Sequence, residues 1–322
     1  MTGRLHGLEL VRGVAALLVA WFHADFIADF PSAASGLFHK AYLAVDLFFL
    51  LSGYVLARTY EGRMPRTLDF TRQRYLRLWA PVACGVALGA IYFAMDGMAP
   101  GELALNLAAG LAILPLVGLV ILFNPPAWTI FFEIVANMIH AAWLHRISVT
   151  KLLAVVAVSA LVLLPLMEVR GLDVGTLLGL PRVLLSYCLG VALWRWNRDR
   201  VWLPASAAWP AVFLYVLALA FWPAWLSGEG EIAFVLIVHP LLVLAVLAMG
   251  ESGTARLLGG LSFPLYALHY PLLLLLVGAG LGWSGALVAA IAAAALLGMA
   301  VDPRFRALVL RQFAARAKSA AA

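Results

Sequence analysis

The chain has 322 residues, of which 65% are hydrophobic and 12% are charged. Soluble domains average about 45–50% apolar and about 25% charged residues, so this composition excludes an ordinary soluble protein. The formal net charge of +6 is concentrated in short loops and at the C-terminus, which is typical of cytoplasmic loops between membrane spans and does not indicate a nucleic-acid partner. Cys84 and Cys188 fall inside apolar segments and predict neither a disulfide framework nor a metal site.

Apolar windows long enough to cross a bilayer recur along the whole chain, and no hydrophilic block is large enough for a separate domain. The sequence therefore predicts an all-α fold, a polytopic transmembrane helical bundle in which residues 1–322 form a single membrane domain. The predicted spans lie near residues 8–26, 41–60, 74–95, 127–145, 149–167, 176–195, 206–226, 231–249, 257–279 and 282–300.

One further apolar segment, residues 103–123, is interrupted by Gly110, Pro115 and Gly118. Loop charge indicates whether it crosses the membrane. Three basic stretches, "RTYEGRMPRTLDFTRQR", "WRWNRDR" and the tail of about 302–322, are expected on the cytoplasmic side. They share that side only if 103–123 does not complete a crossing, so we expect about ten spans, cytoplasmic termini, and a re-entrant or protein-buried segment.

The first span, "LELVRGVAALLVAWFHADF", carries Arg12 and His23 among apolar residues. An ionisable residue at the bilayer centre costs about 2.5–3.5 kcal/mol on insertion scales, so each needs a reason. Eleven residues at about 100° per residue bring the two side chains to within about 20° of one helix face, about 16 Å apart. One face therefore presents a cation able to bind phosphate and, deeper, a group able to transfer protons.

The second span contains "AVDLFFLLSGY", in which Asp46 is isolated among apolar residues and Ser52-Gly53 allows another helix to approach. Asp46 is expected at the depth of His23, where it would share a proton with the imidazole or orient it. In the third span, Arg74 and Arg77 are three residues apart, so they lie on one helix face. Both are expected at the cytoplasmic boundary of the membrane, as Arg12 is. Snorkelling side chains at the membrane boundary explain each arginine singly, whereas the convergence of three, Arg12, Arg74 and Arg77, at one depth favours a phosphate clamp.

Two later segments carry polar stripes at helical spacing. Glu133, Asn137 and His140 are spaced by four and three residues on one predicted helix. Near the C-terminus, Tyr266 and His269 follow Ser262 along another helix face, next to two prolines. Both stripes suit either a buried hydrogen-bond network or a substrate-binding and catalytic site, and a single buried histidine is more often a core residue.

Taken together and in order, these motifs resemble those of the acyltransferase-3 family, membrane enzymes that move acyl groups from acyl-coenzyme A onto extracytoplasmic glycans and similar acceptors. The resemblance covers nearly the whole chain. It includes the Arg12–His23 spacing, "DLFFLLSGY", the Arg74–Arg77 pair, "AWTIFFE" and "SFPLYALHYP". The chain departs from it at Trp128-Thr129-Ile130, where the family often has Trp-Ser-Leu, and at Phe263, where Tyr is frequent.

The resemblance and the residue patterns give each candidate residue an expected role. The expected catalytic residues are His23, Asp46 and Glu133. The expected donor-binding residues are Arg12, Ser52, Gly53, Arg74 and Arg77. The expected substrate-binding residues are Trp128, Asn137, Tyr266 and His269.

The function that these patterns predict is transfer of an acyl group, expected to be acetyl, from cytoplasmic acyl-CoA to a hydroxyl of an extracytoplasmic glycan or similar acceptor. Acetyl-CoA or another acyl-CoA is the expected co-substrate, with no metal. The resemblance implies a location in the bacterial inner membrane. An alternative is a transporter or flippase for a lipid-linked or phosphorylated anion, which explains the arginines but not the histidine in register with them. A purely structural membrane subunit leaves the buried ionisable residues unexplained.

Overall fold

The computed structural model describes residues 5–27, 35–115, 121–170, 179–223, 225–226 and 228–297. Within them lie one short strand, β1, and twelve α-helices. Their bounds are α1 (His6–Ile27), β1 (Ser35–Phe38), α2 (Ala44–Tyr60), α3 (Thr67–Met95), α4 (Pro100–Leu111), α5 (Trp128–Ala142), α6 (Val149–Arg170), α7 (Gly179–Asn197), α8 (Ala208–Ala220), α9 (Glu229–Ala233), α10 (His239–Val246), α11 (Gly253–Gly278) and α12 (Trp283–Leu297). A π-helical turn, Phe234–Val238, joins α9 and α10. The predicted all-α fold class is confirmed.

Among the described residues, five helical segments are long and apolar enough to cross a membrane: His6–Ile27, Ala41–Tyr60, Thr67–Met95, Glu229–Val246 and Gly253–Gly278. Three shorter apolar helices cover Val149–Pro165, Ala205–Ala220 and Trp283–Leu297. A helix lies at each of the ten predicted windows. The number of crossings itself stays a prediction, and the basic tail falls outside the described residues.

The interrupted segment 103–123 does not form a helix of spanning length. Its helix, α4, has 12 residues, about 18 Å, which is well short of a hydrocarbon core of about 30 Å. The chain leaves the helix before Pro115, and Ile113 adopts a φ of 54°. Farther on, Phe123 packs so tightly on α3 that a Cβ on Gly89 would lie 1.9 Å from its carbonyl oxygen. The segment therefore returns to the protein core at its far end.

Glycines set the closest helix contacts. A Cβ on Gly53 of α2 would lie 2.1 Å from the Tyr187 carbonyl oxygen of α7, and one on Gly190 would lie 2.0 Å from the Leu50 carbonyl oxygen. This reciprocal pair lets the two backbones touch, as small residues do in membrane bundles. The first helix packs in a similar way along α11, where Gly13 faces Leu258. These two helix pairs carry the polar groups described next.

Candidate active site

A cavity of about 120 Å³ lies between α1, α2, α3, α5 and α11. Six of the residues expected from the sequence to form a site line it, although they come from five separate helices. Its polar lining consists of Arg12, Ser52, Arg74, Arg77, Thr129, Glu133 and Tyr266. The rest of the wall is aliphatic and aromatic, so charges in this cavity act on each other through a medium of low dielectric constant.

One end of the cavity, called here the arginine end, brings together Arg12 of α1 with Arg74 and Arg77 of α3. The two residues of α3 share a face because they are three positions apart. Guanidinium groups bind phosphate oxygens through two parallel hydrogen bonds, and three such groups on one cavity wall suit a polyphosphate better than a single carboxylate. The arginine end therefore carries groups whose chemistry suits the binding of phosphate oxygens.

Midway along the wall, the Ser52 hydroxyl donates a hydrogen bond of 2.8 Å to Oε1 of Glu133. This bond joins α2 to α5 and fixes one carboxylate oxygen inside the cavity. Gly53 does not line the cavity; it faces the backbone of α7, which is the close helix approach expected at Ser52-Gly53. Of the adjacent pair, only Ser52 is positioned to contact a ligand.

Tyr266 closes the other end of the cavity. Its hydroxyl lies 2.6 Å from Oγ1 of Thr129 and 3.3 Å from the Pro126 carbonyl oxygen. Its ring centroid lies 5.3 Å from that of Phe48 and 5.9 Å from that of His269. Tyr266 therefore stands between the cavity and the histidines beyond it.

Beyond Tyr266, His23 of α1 and His269 of α11 form a hydrogen-bonded pair. The distance between Nδ1 of His23 and Nε2 of His269 is 3.1 Å, and the ring centroids are 5.0 Å apart. His269 is fully buried, and His23 is half-buried. Both side chains face the protein, so the expectation that the polar face of the first helix points inward is met at His23 as well as at Arg12.

Backbone carbonyls fix the tautomers of this pair. Nδ1 of His269 lies 3.0 Å from the Leu265 carbonyl oxygen and 2.9 Å from that of Tyr266. A carbonyl oxygen only accepts, so Nδ1 of His269 carries the proton and its Nε2 is the acceptor. Nδ1 of His23 then donates, both to that nitrogen and to the Val19 carbonyl oxygen at 2.9 Å. The unprotonated nitrogen of His23 is consequently Nε2, which is the form a base or nucleophile requires.

The expectation that Asp46 shares a proton with His23 or orients it is wrong. Asp46 is fully buried and pairs with Arg182 of α7, whose Nη2 lies 2.7 Å from Oδ2. The Arg182 Nε lies 3.2 Å from both carboxylate oxygens, and the Ser186 hydroxyl donates at 3.2 Å. A buried carboxylate needs a full set of donors, and α7 supplies it. The group that orients His23 is His269, which the sequence reading had assigned to substrate.

Arg182 is the important residue that sequence reasoning missed. It lies in "GLPRVLLSY", inside a predicted span, and a buried arginine there requires a counter-ion. The isolated Asp46 in another span was the matching signal. Trp128 belongs to this region as well, because its ring lies 5.8 Å from the Arg182 guanidinium and outside the cavity lining. A direct substrate contact in the cavity is therefore not supported for Trp128.

Asn137 is fully buried and lies outside the cavity lining. It continues the polar stripe of α5 beyond Glu133, as the spacing predicts. Within the described ranges, neither its amide nitrogen nor its amide oxygen has a hydrogen-bond partner.

Comparison with known proteins identifies the family. The family model described as an acyltransferase domain matches residues 5–301. The chain belongs to the acyltransferase-3 family. A curated relative, "Protein 2 in picA locus" of Rhizobium radiobacter, is 37% identical over 182 residues, which cover 49% of this chain and 91% of the relative. No solved structure matches the chain.

Family membership and the apolar helices together make this chain an integral membrane acyltransferase. The resemblance found in the sequence motifs is thereby confirmed. The match extends from α1 through α12, so the cavity and the histidine pair both lie within the matched region.

Proposed function

We propose that this acyltransferase moves an acyl group, most simply acetyl, from cytoplasmic acyl-CoA to a hydroxyl of an extracytoplasmic glycan or a similar acceptor. The single observation that carries the proposal is that one cavity holds Arg12, Arg74 and Arg77 and is lined also by Tyr266, whose ring lies against His269, the hydrogen-bond partner of His23. In this arrangement the arginine end faces the cytoplasm, both chain termini are cytoplasmic, and the membrane is the bacterial inner membrane.

The donor fits this path by length and charge. Coenzyme A carries phosphates at one end of a thin pantetheine arm and the thioester at the other. Arg12 and His23 lie on one continuous helix, about 16 Å apart along its axis, which is the order of length that such an arm covers. His23 is outside the cavity lining, so the thioester must pass the rings of Phe48 and Tyr266 to reach it.

Two chemical routes suit the pair. In the first, Nε2 of His23 takes the proton of the acceptor hydroxyl as its oxygen attacks the thioester carbonyl. The carbon–sulfur bond then breaks, and the departing thiolate receives the proton from His23. In the second, Nε2 itself attacks the thioester carbonyl, the carbon–sulfur bond breaks and the coenzyme A thiolate leaves. The acceptor oxygen then attacks the acyl group, the bond from the acyl carbon to Nε2 breaks, and the hydroxyl proton neutralises the thiolate. In both routes the hydrogen bond to His269 stabilises positive charge that develops on the His23 ring.

The donor assignment is tested by thermal melting of the purified protein in detergent. We expect coenzyme A to raise the melting temperature, because a ligand that binds only the folded state stabilises it. Inorganic phosphate at the same concentration should have little effect, and replacing both Arg74 and Arg77 by Gln should abolish the stabilisation. Arg256→Gln is the matched control, because Arg256 is exposed and pairs with Glu251 away from the cavity.

A second assay distinguishes an enzyme from a transporter that uses the same arginines. The protein, reconstituted in liposomes, is given radiolabelled acetyl-CoA on the arginine side, and covalently labelled acceptor or released acetate is measured on either side. Stabilisation by coenzyme A with loss of the thioester supports the proposal. Equal stabilisation by simple phosphates or lipid phosphates, with the thioester intact, would overturn it.

A further inference from the structure

Behind the cavity wall, three polar side chains lie completely buried with unused hydrogen-bonding capacity. Both amide atoms of Asn137, both ring nitrogens of His140 and the hydroxyl of Tyr187 have no partner in the part of the chain that the structure describes. All three residues are 0% exposed. Buried polar groups in native proteins are nearly always paired, so an exception needs an explanation.

The rings of His140 on α5 and Tyr187 on α7 are in contact, and Asn137 lies about one turn before His140 on the same face of α5; these three residues are called here the cluster. Asn137 and His140 continue the face of α5 that presents Glu133 to the cavity, and the Tyr187 ring centroid lies 5.7 Å from that of His140. The Arg74 guanidinium, which lines the cavity, interacts electrostatically with both His140 and Tyr187. Its own Nε is also buried without a partner among the described residues. The cluster therefore adjoins the arginine end of the cavity.

The chemistry of the cluster favours a neutral polar ligand over an anion. Asn137 offers a donor and an acceptor at once, and the Tyr187 hydroxyl and a neutral imidazole do the same. A phosphate only accepts hydrogen bonds from such groups and would leave the amide oxygen of Asn137 unpaired. An amide group both donates and accepts, so it can pair with the donors and the acceptors of the cluster.

We propose that Asn137, His140 and Tyr187 form a subsite for the amide groups of the pantetheine arm of the acyl-CoA donor. The inference rests on the proposed function, which places coenzyme A in the cavity. The three side chains are fully buried and lie outside the cavity lining, so the proposal requires that the Arg74 side chain leave the wall as it binds a phosphate and thereby admit the nearer amide. The subsite thereby couples recognition of the phosphates to recognition of the arm.

The test measures the dissociation constants of two probes for the full-length protein in detergent, by isothermal titration. One probe is coenzyme A; the other is adenosine 3′,5′-bisphosphate, which carries phosphates but no pantetheine amides. We expect Asn137→Leu to raise the dissociation constant of coenzyme A about tenfold, a loss of the size of one or two buried hydrogen bonds, and to leave that of the bisphosphate unchanged. Tyr187→Phe, which removes only a hydroxyl, should raise that of coenzyme A about threefold.

The melting temperature without ligand supplies an independent readout. Because Asn137 has no hydrogen-bond partner to lose among the described residues, Asn137→Leu should keep or raise the melting temperature while it weakens the binding of coenzyme A. The matched control is Asn197→Leu. Asn197 is equally buried, but its side chain bonds to the Arg200 carbonyl and the Trp202 indole, so its loss should lower the melting temperature without changing coenzyme A affinity.

Three results would overturn the inference: an unchanged affinity for coenzyme A in both cluster variants, an equal loss of affinity for both probes, or a fall in melting temperature like that of Asn197→Leu. The first is expected if the cluster only holds water. If wild-type protein binds no coenzyme A at all, the proposed function fails instead, and the two failures are thus distinguishable.

Discussion

Two buried polar pairs tie helices together in this protein, and they differ in how completely their atoms are used. In the Asp46–Arg182 pair, both carboxylate oxygens receive hydrogen bonds, and Arg182 also donates to the Tyr42 carbonyl. In the His23–His269 pair, both ring nitrogens of His269 are hydrogen-bonded, whereas in the described structure His23 forms hydrogen bonds through Nδ1 and not through Nε2. The complete partner set of Asp46 and Arg182 supports the fold, whereas Nε2 of His23 is available for the proposed role of base or nucleophile.

The largest expected effect is the loss of acyl transfer when His23 of the histidine pair is replaced. His23→Gln removes the only titratable nitrogen that faces away from the pair, so acyl transfer should fall by about 10³-fold, within the range seen for loss of a general base. The melting temperature should change little, because His23 is only half-buried. Steady-state transfer of labelled acetyl measures the first quantity and thermal melting the second.

A matched histidine outside the pair serves as the control for that prediction. His239 is fully buried and lies 3.3 Å from the Tyr215 hydroxyl, away from the cavity. His239→Gln should lower the melting temperature and leave transfer within about twofold of wild type. Comparable loss of transfer in both variants would mean that His23 has no special role.

The next largest effect concerns the other pair. Asp46→Leu leaves the Arg182 guanidinium buried without its counter-ion, which should cost about 3–5 kcal/mol of stability. Asp46→Leu combined with Arg182→Leu should recover most of this loss, because two apolar residues replace two paired charges. Unfolding in denaturant provides the measurement. If both variants kept the stability of wild type while transfer collapsed, Asp46 would belong to the catalytic site and not to the structural pair.

His269 should give an intermediate effect that acts through His23. His269→Phe removes one of the two acceptors of the His23 Nδ1 proton and leaves the Val19 carbonyl, so the turnover number should fall by about 10–100-fold through loss of orientation and of support for positive charge on the His23 ring. His269→Gln keeps an acceptor oxygen and should recover part of the rate. Coenzyme A affinity should stay constant in both. A changed affinity with an unchanged turnover number would instead place His269 in the binding site.

The smallest expected effect compares two serines, each of which donates to a buried carboxylate. Ser52→Ala frees Glu133 inside the cavity and should raise the KM for acyl-CoA by about threefold without altering the melting temperature. Ser186→Ala removes a donor from Asp46 and should lower the melting temperature without altering the KM. If Ser52→Ala lowered the melting temperature and Ser186→Ala raised the KM, the assignment of Glu133 to the site and of Asp46 to the fold would be contradicted.

Hydropathy and helical periodicity predicted much of this structure. Spans could be placed because apolar windows of membrane length are a strong signal. Arg12, Arg74 and Arg77 could be grouped by depth, and Glu133 could be singled out, because an ionisable residue is costly in a membrane without a purpose. Periodicity assigns residues to a face of one helix but does not say which helix lies opposite. Asp46 was therefore paired with the wrong partner.

The contact within the histidine pair could not be predicted from the sequence, for the same reason. His269 stood out in the sequence, yet its contact with His23, which is 246 residues away, depends on how α1 and α11 pack. Gly13 of α1 and Gly259 of α11 permit that close packing, but the sequence alone does not show that these two helices are neighbours. The carbonyls that fix the tautomers belong to the backbone, so the residue types in the sequence cannot predict them.

The most direct measurement of the central claim is an experimental structure of the protein with a non-hydrolysable acetyl-CoA analogue. We expect phosphate oxygens within hydrogen-bond distance of Arg74 and Arg77, and the carbon that replaces the thioester carbonyl about 3–3.5 Å from Nε2 of His23. An analogue bound with its acyl end remote from His23, or with its phosphates away from the arginine end, would contradict the account.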